Sequence, residues 1–181
     1  MRKTIFRRKT KETDIKIELN IDGKGEAEIN TPINFLNHLL SGFAKHGLFD
    51  LKIKASGDIE IDQHHTVEDI GICLGAAFKQ ALGDKKGINR AGYFVFPLDE
   101  ALSVVSVDIS GRAYLDFNCK FKKEKIGELD SDLIKEFFWG FVRHLEATLH
   151  IRILIGENEH HKAESLFKAF GKAMKMACSK D

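Results

Sequence analysis

HHTVE at residues 64–68 recurs as HHKAE at residues 160–164, and the similarity extends past both stretches, where Gly75 aligns with Gly171. The repeat spacing is 96 positions, about half of the 181-residue chain. A duplicated fold requires repeated apolar periodicity, but it does not require repeated histidines and carboxylates. The repeated polar pattern therefore favours a shared chemical role, and metal binding is the role that these residue types indicate.

Each copy is expected to begin a helix, because apolar residues follow it at helical spacing. At about 100° per residue, His64 and Glu68 share one face of such a helix, whereas His65 points about 100° away. The second copy has the same geometry. The pattern predicts two metal sites, each taking ligands from both copies, with imidazole nitrogen and carboxylate oxygen as donors. The alternative is a pair of solvated helix starts.

Length and composition limit the possible classes of protein. A chain of 181 residues with 43% hydrophobic residues forms one domain or two fused half-domains. The net charge of +1 argues against nucleic acid or an acidic membrane as a partner. No apolar run is long enough to span a membrane, and residues 1–9 lack the apolar core of a signal peptide. Three dispersed cysteines are expected to be free thiols, which indicates the cytoplasm.

The remaining periodicity predicts an α+β fold made of two similar halves. Residues 1–86 and 87–181 each give strands, a helix, a strand and then the histidine-bearing helix, in βαβα-type halves. We expect mixed sheets backed by helices in one compact unit. Residues 22–25 read as a tight turn followed by a short return strand over 26–30. Residues 122–130 read as a charged loop.

The helix that precedes the last strand of each half adds one further candidate ligand. Aligned at an offset of 98, these helices place His38 opposite Glu136. Two sets of four ligands follow, each with two residues from either half: His38, His65, His160 and Glu164, and Glu136, His161, His64 and Glu68. Four protein ligands leave positions open for water or substrate, which is typical of catalytic sites.

Five motifs stand in an order that resembles one known family. They cover residues 35–40 (FLNHLL), 62–69 (DQHHTVED), 98–102 (LDEAL), 108–112 (DISGR) and 158–170 (NEHHKAESLFKAF). Together they resemble the imidazoleglycerol-phosphate dehydratase family over nearly the whole chain. The resemblance implies halves like domain 2 of ribosomal protein S5, and a homo-oligomer of 24 subunits. It also implies two Mn²⁺ ions per subunit, or other divalent ions, held between chains at the interfaces.

The resemblance further implies a reaction of histidine biosynthesis. Water is removed from a phosphorylated imidazole substrate, imidazoleglycerol phosphate, to give imidazole-acetol phosphate. Glu12 matches the family's acid/base glutamate, and His64, Glu68 and Lys168 complete the implied catalytic residues. The substrate's imidazole, gripped by two metals as an imidazolate, would expel the hydroxyl group before the carbon-bound proton is lost.

Residues implied to bind substrate or phosphate also come from the family pattern, and they are Glu12, Arg90, Arg112, Lys168, Asp99, Ser179 and Lys180. Fixed cations and fork-shaped guanidinium donors suit a phosphate. Asp99 or Glu100 would meet the glycerol hydroxyls or steady an arginine. Ser179 and Lys180 either replace the family's Ser-Lys-Gly loop, or that phosphate contact is lost.

Three positions depart from the family pattern. Asn37 and Gln63 stand where aspartate is common, beside predicted ligands, and we expect them to orient those ligands less firmly. Glu136 stands where many members have a histidine ligand. A carboxylate there keeps a ligand, makes the site more anionic and favours a hard ion such as Mn²⁺.

Two other functions fit parts of the sequence. A dinuclear metallohydrolase acting on a small phosphate ester would also place metals beside arginines. A non-catalytic metal-binding cage protein would need the histidines, but it would have no use for Glu12 or a phosphate clamp.

Overall fold

The computed structural model of the chain describes residues 2–180. Its elements follow one another as β1 (Lys3–Lys9), β2 (Thr13–Asn20), β3 (Ala27–Asn30), α1 (Asn34–Gly47), β4 (Asp50–Gly57), α2 (His64–Leu82), β5 (Ala91–Leu98), β6 (Ala101–Asp108), β7 (Tyr114–Asn118), β8 (Lys125–Ile126), β9 (Leu129–Asp130), α3 (Leu133–Leu145), β10 (Thr148–Ile155) and α4 (Glu159–Cys178). The proposed division between residues 86 and 87 lies in the loop between α2 and β5.

The two halves have the same topology. One sheet has the strand order β1-β2-β4-β3, and the other has the corresponding order β5-β6-β10-β7. In each sheet two of the three strand pairings are antiparallel. The third is parallel and joins the strands on either side of a helix, β3 with β4 around α1 and β7 with β10 around α3. The predicted α+β fold, with duplicated halves and mixed sheets backed by helices, is therefore confirmed.

Strand β3 has a different partner from the one that the sequence suggested. It does not return antiparallel along β2 but pairs in parallel with β4. The reason lies in Asp50, whose Oδ1 accepts hydrogen bonds from Lys24 N and Glu26 N at 2.7 and 3.2 Å. These bonds hold the residues after β2 against the start of β4, so β3 lies beside β4 and does not form a hairpin with β2.

Residues 122–130, expected to be a charged loop, contain the β8–β9 hairpin. Two apolar side chains hold it to the protein, because Ile126 and Leu129 are buried. Each strand of this hairpin has only two residues, so no alternation of apolar and polar residues marks it in the sequence.

Helices from different halves pack against each other between the two sheets. Helix α1 contacts α4, and α2 contacts α3. The contacts are close: a Cβ on Gly75 would lie 2.3 Å from Phe141 O, and one on Gly171 would lie 2.4 Å from Phe43 O. Only glycine allows the helices to approach this closely. The two halves therefore form a single core.

Four phenylalanines, one from each helix, close the centre of this core. Phe43, Phe78, Phe141 and Phe170 are fully buried, and successive ring centroids around the set lie 4.7–6.0 Å apart. Such distances are favourable for aromatic pairs. Across residues 2–180, no helix has the length and apolar character needed to cross a membrane.

Candidate active site

The predicted ligands lie at the N-terminal ends of the helices. Helices α1 and α4 run in the same direction, since His38 meets Glu164 and Gly47 meets Gly171. Glu128 of the β8–β9 hairpin bonds Phe35 in the first turn of α1 and Gln63 immediately before α2. The duplicated fold therefore gathers both histidine motifs at one end of the helical layer.

One of the two clusters is well formed within a single chain. Glu164 Oε2 lies 3.0 Å from His160 Nε2 and 3.4 Å from His38 Nε2. Candidate ligand atoms of these three residues all lie within 4.8 Å of one another. Phe35 forms a wall beside them, with its ring centroid 5.1 Å from that of His160. Two imidazoles and a carboxylate converging in this way can hold a divalent cation.

The charge state of Glu164 suits a metal ligand. Burial alone would raise the pKa of this carboxyl, but Lys168 and His38 outweigh that effect and lower the pKa to about 2. Lys168 Nζ lies 2.8 Å from Glu164 Oε1, one helical turn further along α4. The carboxylate is therefore ionised at neutral pH, with one oxygen towards the imidazoles and the other towards the lysine.

The second cluster is more open. His64 Nε2 lies 3.5 Å from Glu68 Oε2, as the four-residue spacing predicts. Glu136, half-buried on α3, does not come close enough to form a three-ligand group with them. Within residues 2–180, only the cluster of His38, His160 and Glu164 reaches that proximity.

His65 and His161 join neither cluster of their own chain. The Nδ1 atom of His65 lies 2.9 Å from Asp58 Oδ2, and that of His161 lies 2.8 Å from Glu100 Oε2. These carboxylates raise the pKa of each imidazole. A carboxylate on Nδ1 fixes the ring and leaves Nε2 as the outward ligand atom. Within one chain, the first predicted set therefore lacks His65, and the second lacks both His161 and Glu136.

The structure separates the positions of Asp99 and Glu100, whose roles the sequence left open. Glu100 supports His161 and also accepts a hydrogen bond from Asn158 N at 2.8 Å. These contacts lower the pKa of Glu100 to about 2. Asp99 is largely exposed, and its Oδ2 lies 3.8 Å from His161 Nε2.

Glu12 lies in the β1–β2 turn, which is the counterpart of the β5–β6 turn that carries Glu100. Its side chain is exposed, and its charge contributes to raising the pKa of His65. The backbone of the turn is fixed, since Thr10 Oγ1 accepts from both Glu12 N and Thr13 N. An exposed carboxylate on a rigid turn can exchange protons with a bound molecule.

The predicted phosphate-binding residues fall into two separate groups. Lys168 lies beside the first cluster, whereas Arg90 binds Asp108 at the far end of β6 through two hydrogen bonds of 2.7 and 3.0 Å. Arg112 follows β6, and Ser179 and Lys180 pair with the backbone just before Arg90. Arg90 N bonds Ala177 O, which lies nine residues beyond Lys168 on α4, or about 13 Å of helical rise. One chain therefore does not bring the two groups together.

His46 lies near the first cluster, and the motif analysis did not select it. It lies on α1 two turns after His38, and its ring packs edge-on against Phe96. Burial, followed by the charges of Lys168 and Lys172, lowers the pKa of His46. These three residues form a basic patch beside Glu164. The sequence signal for His46 was its alignment with His144 in the second half. His144 has a different contact, because its Nδ1 lies 2.9 Å from Gly140 O.

Asn37 and Gln63 are more firmly held than expected. Asn37 exchanges three hydrogen bonds with Thr31, of 2.7–3.1 Å, which tie the start of α1 to the preceding segment. Gln63 bonds the backbone of the β8–β9 hairpin with both ends of its amide. Each side chain uses a donor that aspartate lacks.

Duplicated α+β halves, paired imidazole–carboxylate clusters and an adjacent basic patch define a candidate metal-centred enzyme for a small anionic substrate. The family model for imidazoleglycerol-phosphate dehydratase matches residues 31–174. The dehydratase of Geobacter sp. is 56% identical over 99% of this chain and 92% of its own length. That of Vesicomyosocius okutanii is 58% identical, covering 96% and 91%.

Solved structures agree with these sequence comparisons. The imidazoleglycerol-phosphate dehydratase of Staphylococcus aureus superposes with a TM-score of 0.88 at 39% identity, covering 98% of this chain and 100% of that one. The Pyrococcus furiosus enzyme gives 0.85 at 41% identity, covering 97% and 94%. The chain belongs to the imidazoleglycerol-phosphate dehydratase family. The prediction of a carbon–oxygen lyase of histidine biosynthesis is confirmed over the hydrolase and the storage protein.

Proposed function

We propose that this dehydratase depends on two divalent ions per subunit, with Mn²⁺ as the expected metal. The observation that carries the proposal is the convergence of His38, His160 and Glu164 within 4.8 Å. Two imidazole nitrogens and an ionised carboxylate oxygen suit a hard or borderline ion, and the three described cysteines lie elsewhere. The second ion would be held by His64, Glu68 and Glu136.

The fourth ligand of each site is assigned to another copy of the chain. His65 and His161 have Nδ1 engaged by a carboxylate and are 47% and 30% exposed, so Nε2 is available to a neighbour. This arrangement supports metals at subunit interfaces in a homo-oligomer, for which 24 subunits are expected. Free cysteines support a cytoplasmic location.

The phosphate site is likewise assigned to two chains. Lys168 and His46 offer one half beside the metal cluster. Arg90, Arg112, Ser179 and Lys180 offer the other half, near the C-terminal end of α4 about 13 Å further along that helix. A neighbouring copy that presents this second group would complete the clamp. Release of Arg90 from Asp108 would then free its guanidinium fork for the phosphate.

The dehydration removes a hydroxyl group from one carbon of the glycerol chain and a proton from its neighbour. Bound divalent ions would supply Lewis-acid polarisation of the substrate's imidazole. His38, His160 and Glu164 would hold one of these ions. Glu12, on its rigid turn, protonates the departing hydroxyl group, which leaves as water, and then takes up the carbon-bound proton as its carboxylate. Lys168 fixes the phosphate end.

Metal analysis combined with turnover tests the proposal. Metal-free protein is expected to be inactive with imidazoleglycerol phosphate. Adding Mn²⁺ should restore formation of the ketone product at two ions per chain. Size-exclusion chromatography should give the large assembly with Mn²⁺ and smaller species with a chelator. Full turnover without bound metal would refute the metal dependence.

A further inference from the structure

Within residues 2–180, a long connection in the second half has no counterpart in the first. Residues 31–33 join β3 to α1, whereas residues 119–132 join β7 to α3. Connections of this length in compact domains are uncommon and often functional. Residues 119–132, here called the inserted segment, include the β8–β9 hairpin. The segment contacts the beginnings of three helices before it enters the fourth, α3.

The first contact is with α1, the helix that carries His38. Phe35 N donates a hydrogen bond of 3.1 Å to Glu128 Oε1. The N-cap residue of α1 is Ile33, which has no side-chain acceptor. Glu128 therefore supplies the missing cap from another part of the chain, and its charge suits the positive end of the helix.

The second contact is with α2, immediately before His64. Gln63 Nε2 donates to Glu128 O at 2.7 Å, and Asp130 N donates to Gln63 Oε1 at 3.3 Å. The amide thus pairs with the hairpin backbone as a neighbouring strand would. An aspartate in place of Gln63 could accept but could not donate.

The third contact is with α4, immediately before His160. Lys122 N donates to Glu159 Oε2 at 3.1 Å, and Lys162 Nζ donates to Lys120 O. Glu159 and Lys162 are buried and form an ion pair of 3.1 Å. Because buried charges are costly when unpaired, this pair holds the start of the inserted segment firmly on α4.

We propose that the inserted segment sets the spacing between the two histidine clusters, with Gln63 and Glu128 as its positioning residues. The inference rests on the proposed metal sites. Glu128 acts on the His38 cluster through Phe35, whose ring lies 6.1 Å from His38 and 5.1 Å from His160. Gln63 acts on the other cluster because it directly precedes His64 in the chain, so its contact with the hairpin fixes the position of His64.

The alternative is that the inserted segment only covers the core through Ile126 and Leu129 and has no effect on the metal sites. A control variant that removes an equivalent amide elsewhere separates these two roles. Asn20 Nδ2 donates a 2.9 Å hydrogen bond to Asp50 in the first sheet, away from the inserted segment. Gln63→Leu and Asn20→Leu each remove one amide. Both should lower the unfolding midpoint, but only Gln63→Leu should affect metal binding.

The experiment titrates metal-free protein with Mn²⁺ and follows each of the two ions. Gln63→Leu should lower the binding affinity for one ion about 10- to 100-fold. Glu128→Ala should lower the affinity for the other ion by a similar factor. Glu128→Gln keeps the oxygen that accepts from Phe35 N and should restore affinity to near the wild-type value. Unchanged affinities in Gln63→Leu and Glu128→Ala would overturn the inference, as would an equal loss in Asn20→Leu.

Absence of Mn²⁺ binding in the wild-type protein would refute the metal proposal instead. Positioning would then be decided by hydrogen–deuterium exchange of the metal-free protein. The first-turn amides of α1 should exchange faster in Glu128→Ala, and those of α2 faster in Gln63→Leu, with no change in Asn20→Leu. Equal exchange in all proteins would overturn the inference.

Discussion

Two equivalent glycines, Gly42 on α1 and Gly140 on α3, should respond in opposite ways to alanine. A Cβ on Gly140 would lie 2.7 Å from Glu68 O and 2.9 Å from Ile72 N, both backbone atoms of α2. A Cβ on Gly42 would meet only Lys168 Cγ, at an ordinary 3.9 Å. Either substitution improves helix propensity by about 1 kcal/mol.

The difference between the two variants therefore isolates the cost of overpacking. Overpacking at Gly140 should cost about 1–3 kcal/mol. Gly42→Ala meets no close contact, so it should stabilise the protein by about 1 kcal/mol through helix propensity alone. Gly140→Ala should be destabilising by up to about 2 kcal/mol. For a chain of this size, the gap corresponds to roughly 2–12 °C in the unfolding midpoint.

Urea and thermal unfolding of metal-free protein, at equal subunit concentration, measure this difference. Gly140→Ala should also weaken metal binding at Glu68, because α2 must move away from α3. Equal stabilities for the two variants, or a more stable Gly140→Ala, would refute the close helix contact.

Three further predictions concern single side chains. Glu12→Gln should keep two metals and the assembly while turnover falls about 10²- to 10⁴-fold, and near-normal turnover would remove Glu12 from the mechanism. His65→Ala and His161→Ala should each lose one metal per chain and the large assembly, which metal analysis and size-exclusion chromatography would detect. Arg2 lowers the pKa of Asp22 from 3.8 in the unfolded chain to about 2, so this pair stabilises above pH 4 and is lost as pH falls through about 2. Urea unfolding at pH 5 and pH 2.5 should therefore show a smaller acid loss for Asp22→Asn than for wild type, and identical losses would contradict this.

Much of the fold was predictable because its elements show clear periodicity. The alternation in β2 and the four-residue spacing of His64 and Glu68 both correspond to the observed structure. The duplication added long-range information, since two halves with one element order imply one topology. The offset of 98 that aligned His38 with Glu136 also aligns the helices α1 and α3.

The features that were missed depend on contacts distant in sequence. The partner of β3 is decided by Asp50, which lies more than twenty residues beyond the turn that it organises. The β8–β9 hairpin is held by only two apolar side chains among charges. The separation of Arg90 from Lys168 follows from the way in which β5 packs along α4, which a linear motif does not contain.

Fusion of the two halves allows equivalent positions to differ, as His38 and Glu136 do. A symmetric dimer of identical half-length chains would have to carry the same residue at both places. In the single chain, the first proposed site instead has the extra imidazole of His38, and the second is assigned the extra carboxylate of Glu136. The two proposed cation sites would therefore be chemically unequal, and stepwise filling in a Mn²⁺ titration is the expected consequence.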